Sequence, residues 1–356
     1  MKIVADENIP CVQQAFSTLG NVTLRSGRQL CAADVRDTDI LLVRSVTMVG
    51  RDLLEGSQVR FVGSATIGYD HVDRDYLEQH GIGFATAPGS NATSAAEYVV
   101  SAILALAERD AFDPADKSVG IIGCGNVGSR VQQKLAVLGM RCLVNDPPLQ
   151  AQGGHDDFVE LAEILRTDII TLHVPLTQAG KYPTHHLVNQ AFLESLGPGA
   201  ILINAARGAV VDNRALEHVL NQRDDLSVVL DVWEGEPTIN TALLEKVALG
   251  TPHIAGYSLD GKLRGTEMIY RAACEYFGLS SQVWRAGDDL PERRVLQLDE
   301  PGQDVLRAAV FHSYDVRHDD RRLRSMVSLD VEEHPVYFDR LRKEYPVRRE
   351  FPETPV

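Results

Sequence analysis

The sequence predicts an α/β protein with two Rossmann-like domains, each a doubly wound parallel sheet, and an additional small α+β domain at the C-terminus. Three observations carry that expectation. Short apolar runs alternate with helix-like segments through most of the chain, the pattern of parallel strands joined by crossover helices. One such unit, Lys117 to Pro147, places a G-x-G-x-x-G turn between a strand and a helix. The chain's 356 residues exceed the usual size of one domain, so two or three are expected.

Lys2 to Ala5 reads as the first strand and Cys11 to Leu19 as a helix. Ile40 to Val43 is a second strand, running on into Arg44-Ser45-Val46-Thr47. Phe61 to Gly63 and Gly83 to Ala85 are short strands closed by small or turn residues. Ala92 to Glu108 is a long helix whose apolar positions are too dense for a surface helix, so it is expected between two domains. Ser118 to Ile122 is a strand ending at Gly123, and Val127, Val131, Leu135 and Leu138 then recur at helical spacing. Arg141 to Asn145 is the next strand. Ile169 to Val174, Ala200 to Asn204 and Val228 to Val232 follow as buried strands, and His253 is placed at the start of a last short strand, His253 to Gly256. A helix is expected from about Gly261 to Phe277. Beyond residue 281 the chain is arginine-rich, with a strand-like Arg294 to Leu298 and a helix near Asp304 to Tyr314.

Each part of the glycine turn has a job in binding a dinucleotide. Gly123 permits the tight turn, Gly125 lets backbone approach a pyrophosphate, and Gly128 lets helix pack on strand. The helix N-terminus offers N–H groups and the positive end of its dipole to phosphate. Asp146 lies 18 residues past Gly128, where an acid accepts hydrogen bonds from the ribose hydroxyls and repels a 2′-phosphate, so NAD is expected rather than NADP.

A formal net charge of −15 argues against nucleic acid or an anionic membrane as partner. Five scattered cysteines without a C-x-x-C fit a reducing cytoplasm and give no zinc signature. No segment reads as a signal peptide or a membrane span, so a cytoplasmic protein is expected.

The polar candidates sit at the carboxyl ends of strands, where parallel sheets bind ligands. Arg207, in a turn with Gly208, can grip a carboxylate in a fork or pair structurally with an acid. His253 can take a hydroxyl proton or serve packing. Glu236 can orient that imidazole and stabilise its charged form. Asp231, in an apolar strand, needs donors, and a nicotinamide carboxamide is one candidate. His173 lines the cofactor cleft or packs. His185-His186 has neither H-x-x-x-H spacing nor a carboxylate cluster, so no metal is expected.

Five motifs in order, Gly123-x-Gly125-x-x-Gly128 with Asp146, His173-Val-Pro-Leu-Thr, Asn204-Ala-Ala-Arg207-Gly, Leu230-Asp231-Val-Trp-Glu-Gly-Glu236-Pro and Thr251-Pro-His253-Ile-Ala-Gly, resemble the D-isomer-specific 2-hydroxyacid dehydrogenases. The resemblance implies an NAD-dependent oxidoreductase. Arg207 would bind the substrate carboxylate, His253 act as acid and base, and Glu236 support it. The implied cofactor contacts are Gly123, Gly125, Asn126, Val127, Gly128, Asp146, His173, Pro175, Ala205, Ala206, Arg207, Asp231 and Gly256.

Met1-Lys-Ile-Val-Ala-Asp-Glu-Asn, Val43-Arg44-Ser45-Val-Thr, Gly63-Ser-Ala-Thr66-Ile-Gly, His253-Ile-Ala-Gly-Tyr257-Ser and Tyr314-Asp-Val-Arg-His-Asp-Asp resemble one branch of that family. That branch oxidises 4-phospho-D-erythronate to (R)-3-hydroxy-2-oxo-4-phosphooxybutanoate in de novo pyridoxal 5′-phosphate synthesis. The resemblance implies substrate contacts at Ser45, Thr66 and Tyr257. Arg44 is a further donor for a terminal phosphate, and Arg340 or Arg342 of a partner subunit is expected to complete that site. The implied substrate domain is residues 1–93 plus 257–280, the NAD domain 94–256, and a homodimerisation domain 281–356. The rivals are another dehydrogenase of the family, acting on 3-phosphoglycerate, glycerate or lactate, and an NAD-sensing corepressor-like protein. The latter does not need Arg207, Glu236 and His253 together.

Overall fold

The computed structural model describes residues 1–153, 157–281, 283–290 and 303–352. The chain divides into two compact units, Met1–Asn91 with Ser258–Val295, and Ala92–Tyr257 with Leu296–Val356.

The first unit holds five strands, β1 (Lys2–Asp6), β2 (Asn21–Arg25), β3 (Ile40–Val43), β4 (Phe61–Ser64) and β5 (Gly83–Ala85), in the order β2-β1-β3-β4-β5. Every pairing is parallel. β3 and β4 are buried along their whole length, which is why their sequences are apolar without alternation. The helix expected over Cys11 to Leu19 is shorter, Val12–Phe16, because Cys11 takes a left-handed φ of 52° that a helix cannot include. Leu259–Tyr276 is a helix returning to this unit. A Cβ built on Gly63 would lie 3.3 Å from Ile269 Cβ, so glycine there lets that helix approach β4. Phe16, Phe61, Ile269 and Tyr270 form the core between them.

The second unit holds β6 (Ser118–Ile122), β7 (Arg141–Asn145), β8 (Ile169–Leu172), β9 (Ile201–Asn204), β10 (Ser227–Leu230) and β11 (Leu249–Gly250), in the order β11-β10-β9-β8-β6-β7. All pairings are again parallel. The helix Ala92–Asp110 opens this unit and is buried along nearly all of its length. Its apolar side chains share one core with Ile121, Val131, Ile203 and Val229.

In both sheets the second strand lies outside the first and the third lies on its other side. Each sheet therefore has a switch point at the carboxyl ends of its first and third strands, β1/β3 and β6/β8, where an open α/β sheet binds ligands.

Of residues 281–356, expected as a domain of their own, those up to Val295 group with the first unit and those from Leu296 with the second. The described part of the latter holds the helices Gln303–Ser313, Val316–Arg324 and His334–Lys343, followed by a non-helical stretch to residue 352. Leu323, Met326, Phe338 and Leu341 share a core with Leu230 and Trp233. The strand expected at Arg294 to Leu298 lies outside the described residues. Among the described residues, no helix is long and apolar enough to cross a membrane.

Candidate active site

The glycine turn has the geometry its sequence implied. Gly123 adopts φ +91°, and a Cβ there would lie 2.7 Å from the His173 carbonyl oxygen. A Cβ on Gly128 would lie 1.9 Å from the Gly123 carbonyl oxygen, so only glycine lets Asn126–Val137 leave the strand this steeply. Gly125 is different: nothing lies within 4 Å of its Cβ position. It precedes a helix N-terminus that no side chain caps. Open backbone before an uncapped helix fits a phosphate group. Asp146 follows β7 and docks back onto this turn, accepting from Cys124 N–H at 2.7 Å and Leu149 N–H at 3.0 Å. Each carboxylate oxygen keeps a second acceptor site for a ribose hydroxyl.

Arg207 is positioned by β9. Asn204, fully buried at the strand end, donates to the Arg207 carbonyl at 3.0 Å and accepts from Ala206 N–H at 3.1 Å. That latch carries the chain through Ala205 and Ala206, and Arg207 Nη1 donates to the Ala206 carbonyl at 2.8 Å. A Cβ on Gly208 would lie 2.0 Å from the Trp233 carbonyl oxygen. Glycine thus lets the arginine turn rest against the loop that bears Glu236.

Glu236 and His253 meet although they come from different loops. His253 Nδ1 lies 2.7 Å from Glu236 Oε2, and Glu236 Oε1 accepts from Trp233 N–H at 2.7 Å. Burial works to raise the Glu236 carboxyl. The His253 charge and hydrogen bond, the Trp233 N–H and the Arg342 charge outweigh it and hold the carboxyl below its usual range. The His253 side chain is 34% exposed and that of Glu236 19%, so the imidazole is presented while its partner is covered. With Nδ1 engaged by a carboxylate, that nitrogen carries the proton and Nε2 is left as the base.

His253 was expected at the start of a strand, and here the structure corrects the reading. β11 ends at Gly250, and His253 lies in the turn after it with φ +56°. The conformation is fixed by Asp231, which is 1% exposed. Its carbonyl accepts from His253 N–H at 2.7 Å. Its carboxylate accepts from the Thr251 hydroxyl at 2.6 Å, Ile254 N–H at 2.8 Å and Ala255 N–H at 2.9 Å. The donors this buried acid needs thus come from the histidine's own loop. Thr251 carries that signal in the sequence only as a small residue before a proline.

His173 follows β8, and its N–H donates to the Ile122 carbonyl at the switch point. Nε2 pairs with the Thr171 hydroxyl at 2.9 Å, while Nδ1 is buried with no partner. An orphaned polar atom beside the glycine turn fits a cofactor contact. Burial pushes this imidazole down to about 3. Below about pH 6.5 the unfolded chain therefore binds a proton that the folded chain does not, and stability falls with pH. From pH 6.5 to 5 this one group should cost on the order of 1–2 kcal/mol. Urea midpoints of wild type and His173→Gln at pH 7.5 and 5.0 check this. The variant should lose that share of the pH dependence, and identical dependence in both would mean the folded ring does take up a proton.

In the first unit, Arg44 and Ser45 follow β3. Arg44 Nε is paired with the buried Asp6 at 3.0 Å, at the β1/β3 switch point, and Ser45 is exposed. Thr66 follows β4: its hydroxyl donates to the Gly68 carbonyl at 3.1 Å and lies 2.7 Å from Ser64 Oγ, which in turn meets His71 Nε2 at 3.0 Å. In the second unit, Tyr257 ends the histidine loop, with the Arg342 guanidinium 5.8 Å from its ring centre. Arg342 thus reaches Tyr257 and Glu236 from within its own chain, while Arg340 lies over Tyr337. Pro175 and Gly256 follow β8 and the histidine turn. The fold also gives the His185-His186 pair the carboxylate its sequence neighbourhood lacks: His186 Nε2 lies 2.7 Å from Glu234 Oε1. The two rings are stacked 4.0 Å apart, and one ligand atom from each of His185, His186 and Glu234 lies within 4.8 Å of the others, a grouping of metal-ligand chemistry that the sequence spacing did not show.

Residues 89–255 match the model of the D-isomer specific 2-hydroxyacid dehydrogenase, NAD binding domain. Residues 290–356 match a domain of unknown function (DUF3410). A relative from Escherichia coli named erythronate-4-phosphate dehydrogenase is 50% identical over 356 residues, covering 99% of this chain and 92% of the relative. One of the same name from Cronobacter sakazakii is 50% identical over 357 residues, with the same coverage. Among solved structures, NAD+-bound 3-phosphoglycerate dehydrogenase from Entamoeba histolytica superposes with TM-score 0.68 at 24% identity, covering 78% of this chain and 95% of that one. The D-lactate dehydrogenase from Aquifex aeolicus complexed with NAD and lactic acid gives 0.62 at 24% identity, covering 78% and 96%. At such identity these two structures speak for the fold alone.

Proposed function

The chain belongs to the D-isomer specific 2-hydroxyacid dehydrogenases, in the group of the erythronate-4-phosphate dehydrogenases, and from that premise we propose that it oxidises the 2-hydroxyl of 4-phospho-D-erythronate with NAD, in de novo pyridoxal 5′-phosphate synthesis. The observation that carries the chemistry is the 2.7 Å pair of Glu236 and His253, with Nε2 left as the base.

The Gly123–Gly128 turn, Asp146, His173 and the ends of β8 and β9 hold NAD, which supplies the hydride acceptor when bound. Asp231 Oδ2 accepts one hydrogen bond, from Ala255, and has an acceptor site left for the nicotinamide carboxamide. Arg207 grips the substrate carboxylate and polarises the C2 centre. His253 Nε2 takes the C2-hydroxyl proton as hydride leaves C2, and the ionised Glu236 stabilises the imidazolium. A terminal phosphate needs hydroxyl and guanidinium donors, and Arg44, Ser45, Thr66, Tyr257 and Arg342 are of that chemistry. We take the protein to act as a homodimer in the cytoplasm, with residues 281–356 as the dimerising part.

The test is NAD-linked oxidation of 4-phosphoerythronate beside 3-phosphoglycerate and unphosphorylated erythronate, with a 2-oxo acid present to recycle NADH. Phosphoerythronate should win over unphosphorylated erythronate by at least about a hundredfold in kcat/KM, because donors arranged for a phosphate are left unpaired when it is missing. Preference for another acid would keep the mechanism and discard the substrate. NAD binding without any turnover would favour a sensor.

A further inference from the structure

The C-terminal segment lies against the loop that carries His253. Arg348 is 6% exposed although it is an arginine near a chain end. Its Nη1 donates to the Ala255 carbonyl at 3.2 Å and its Nη2 to the Ser94 carbonyl at 2.7 Å. Its guanidinium lies 3.6 Å from the centre of the Tyr314 ring and 3.8 Å from the fully buried Glu97. Glu97 also holds Lys134 at 3.2 Å and accepts from Phe351 N–H at 3.0 Å. Tyr345 packs edge-on against Tyr257 at 5.6 Å and donates to Asp319 at 2.7 Å.

These contacts bear on a strained residue. A histidine at φ +56° persists only where its surroundings over-determine it. Asp231 holds the loop through the N–H groups of His253, Ile254 and Ala255. Arg348 holds the same loop through the opposite face of the backbone, the Ala255 carbonyl, and ties it to the first turn of the Ala92–Asp110 helix. Ala255 is therefore gripped at both its N–H and its C=O, two residues from the imidazole.

We propose that Arg348 is a positioning residue for catalysis: by clamping the Ala255 carbonyl it fixes the turn that presents the His253 imidazole to Glu236. The non-helical stretch that follows His334–Lys343 then serves to position the catalytic loop of its own chain. This rests on the assignment of His253 as the base.

The experiment uses the full chain with Arg348→Met, which keeps the bulk, and Arg348→Lys, which keeps the charge beside Glu97 and can reach one carbonyl at a time. NADH affinity should stay within about twofold in both, since the glycine turn is untouched. The kcat of Arg348→Met should fall about tenfold to a hundredfold, the scale of loss when a reacting group is misplaced by about an ångström. Arg348→Lys should recover part of it. With 15N-histidine labelling, the His253 Nδ1 proton shared with Glu236 should give a low-field resonance in wild type that shifts or broadens in Arg348→Met. A folded Arg348→Met with wild-type kcat and an unchanged resonance would overturn the clamp, as would full activity in Arg348→Lys should the Met variant fail to fold. If wild type does not turn over phosphoerythronate, the substrate assignment fails, and the resonance still decides the clamp.

Discussion

His253→Asn should lower kcat about a thousandfold while leaving the affinity for NAD within about twofold. The size follows from the role. A positioned base that takes a proton in the transition state contributes roughly two to four orders of magnitude, and asparagine fills the site without taking a proton. The spared cofactor affinity follows from the fold: the glycine turn, Asp146 and the β8 end are built from other strands, and Asp231 keeps its bonds to Thr251, Ile254 and Ala255 whatever stands at position 253. Glu236→Gln is the partner experiment. An amide can keep a hydrogen bond to Nδ1 but cannot offset the charge that forms on the ring, so kcat should fall by less, about tenfold to a hundredfold. In wild type the Glu236 carboxyl is held below its usual range, so it stays ionised where imidazoles titrate. The acid limb of kcat/KM should therefore show one proton, and a two-proton limb would mean that Glu236 titrates alongside its partner. Full turnover in His253→Asn would remove the histidine from the chemistry.

The parts legible in the sequence were those fixed by neighbours along the chain. Gly123 and Gly128 declare a turn because the first takes a positive φ and the second has no room for a Cβ against the Gly123 carbonyl, Gly125 leaves its backbone open, and Asp146 is tied to them by a single strand–helix–strand unit. β3, β8, β9 and β10 announce themselves because burial on both faces demands unbroken apolar runs. β2 was missed because it is an edge strand, exposed along most of its length, and asks little of its side chains. The turn at His253 was read as a strand because Ile254 and Ala255 are apolar. Both are buried, yet what shapes them is a carboxylate more than 20 residues away and a guanidinium more than 90 away. No periodicity records such contacts. The same distance hid the roles of Asn204 and Arg348.

Arg207→Lys should be nearly as damaging as loss of the histidine, with kcat/KM down about a hundredfold to a thousandfold. A lysine keeps the charge, so a purely Coulombic role would survive the change. A carboxylate fork would not, because two charge-assisted hydrogen bonds of about 1.5–3 kcal/mol each become one bond to a freely turning ammonium. The structure holds the arginine for a fork. Asn204 fixes its carbonyl, the Ala206 carbonyl braces Nη1, and Gly208 backs onto Trp233 with no room for a Cβ, so the guanidinium has little freedom to lose on binding. The decisive measurement is a cycle between enzyme and substrate: wild type and Arg207→Lys, each with the acid and with its carboxamide analogue. If Arg207 grips the carboxylate, wild type should lose about two orders of magnitude on going to the amide, and the lysine variant much less, because the partner it would miss is already gone. Equal losses in both enzymes would place the guanidinium elsewhere, in a structural role between the β9 and β10 loops. NADH affinity within about twofold of wild type would show that the loss belongs to the substrate rather than to the cofactor.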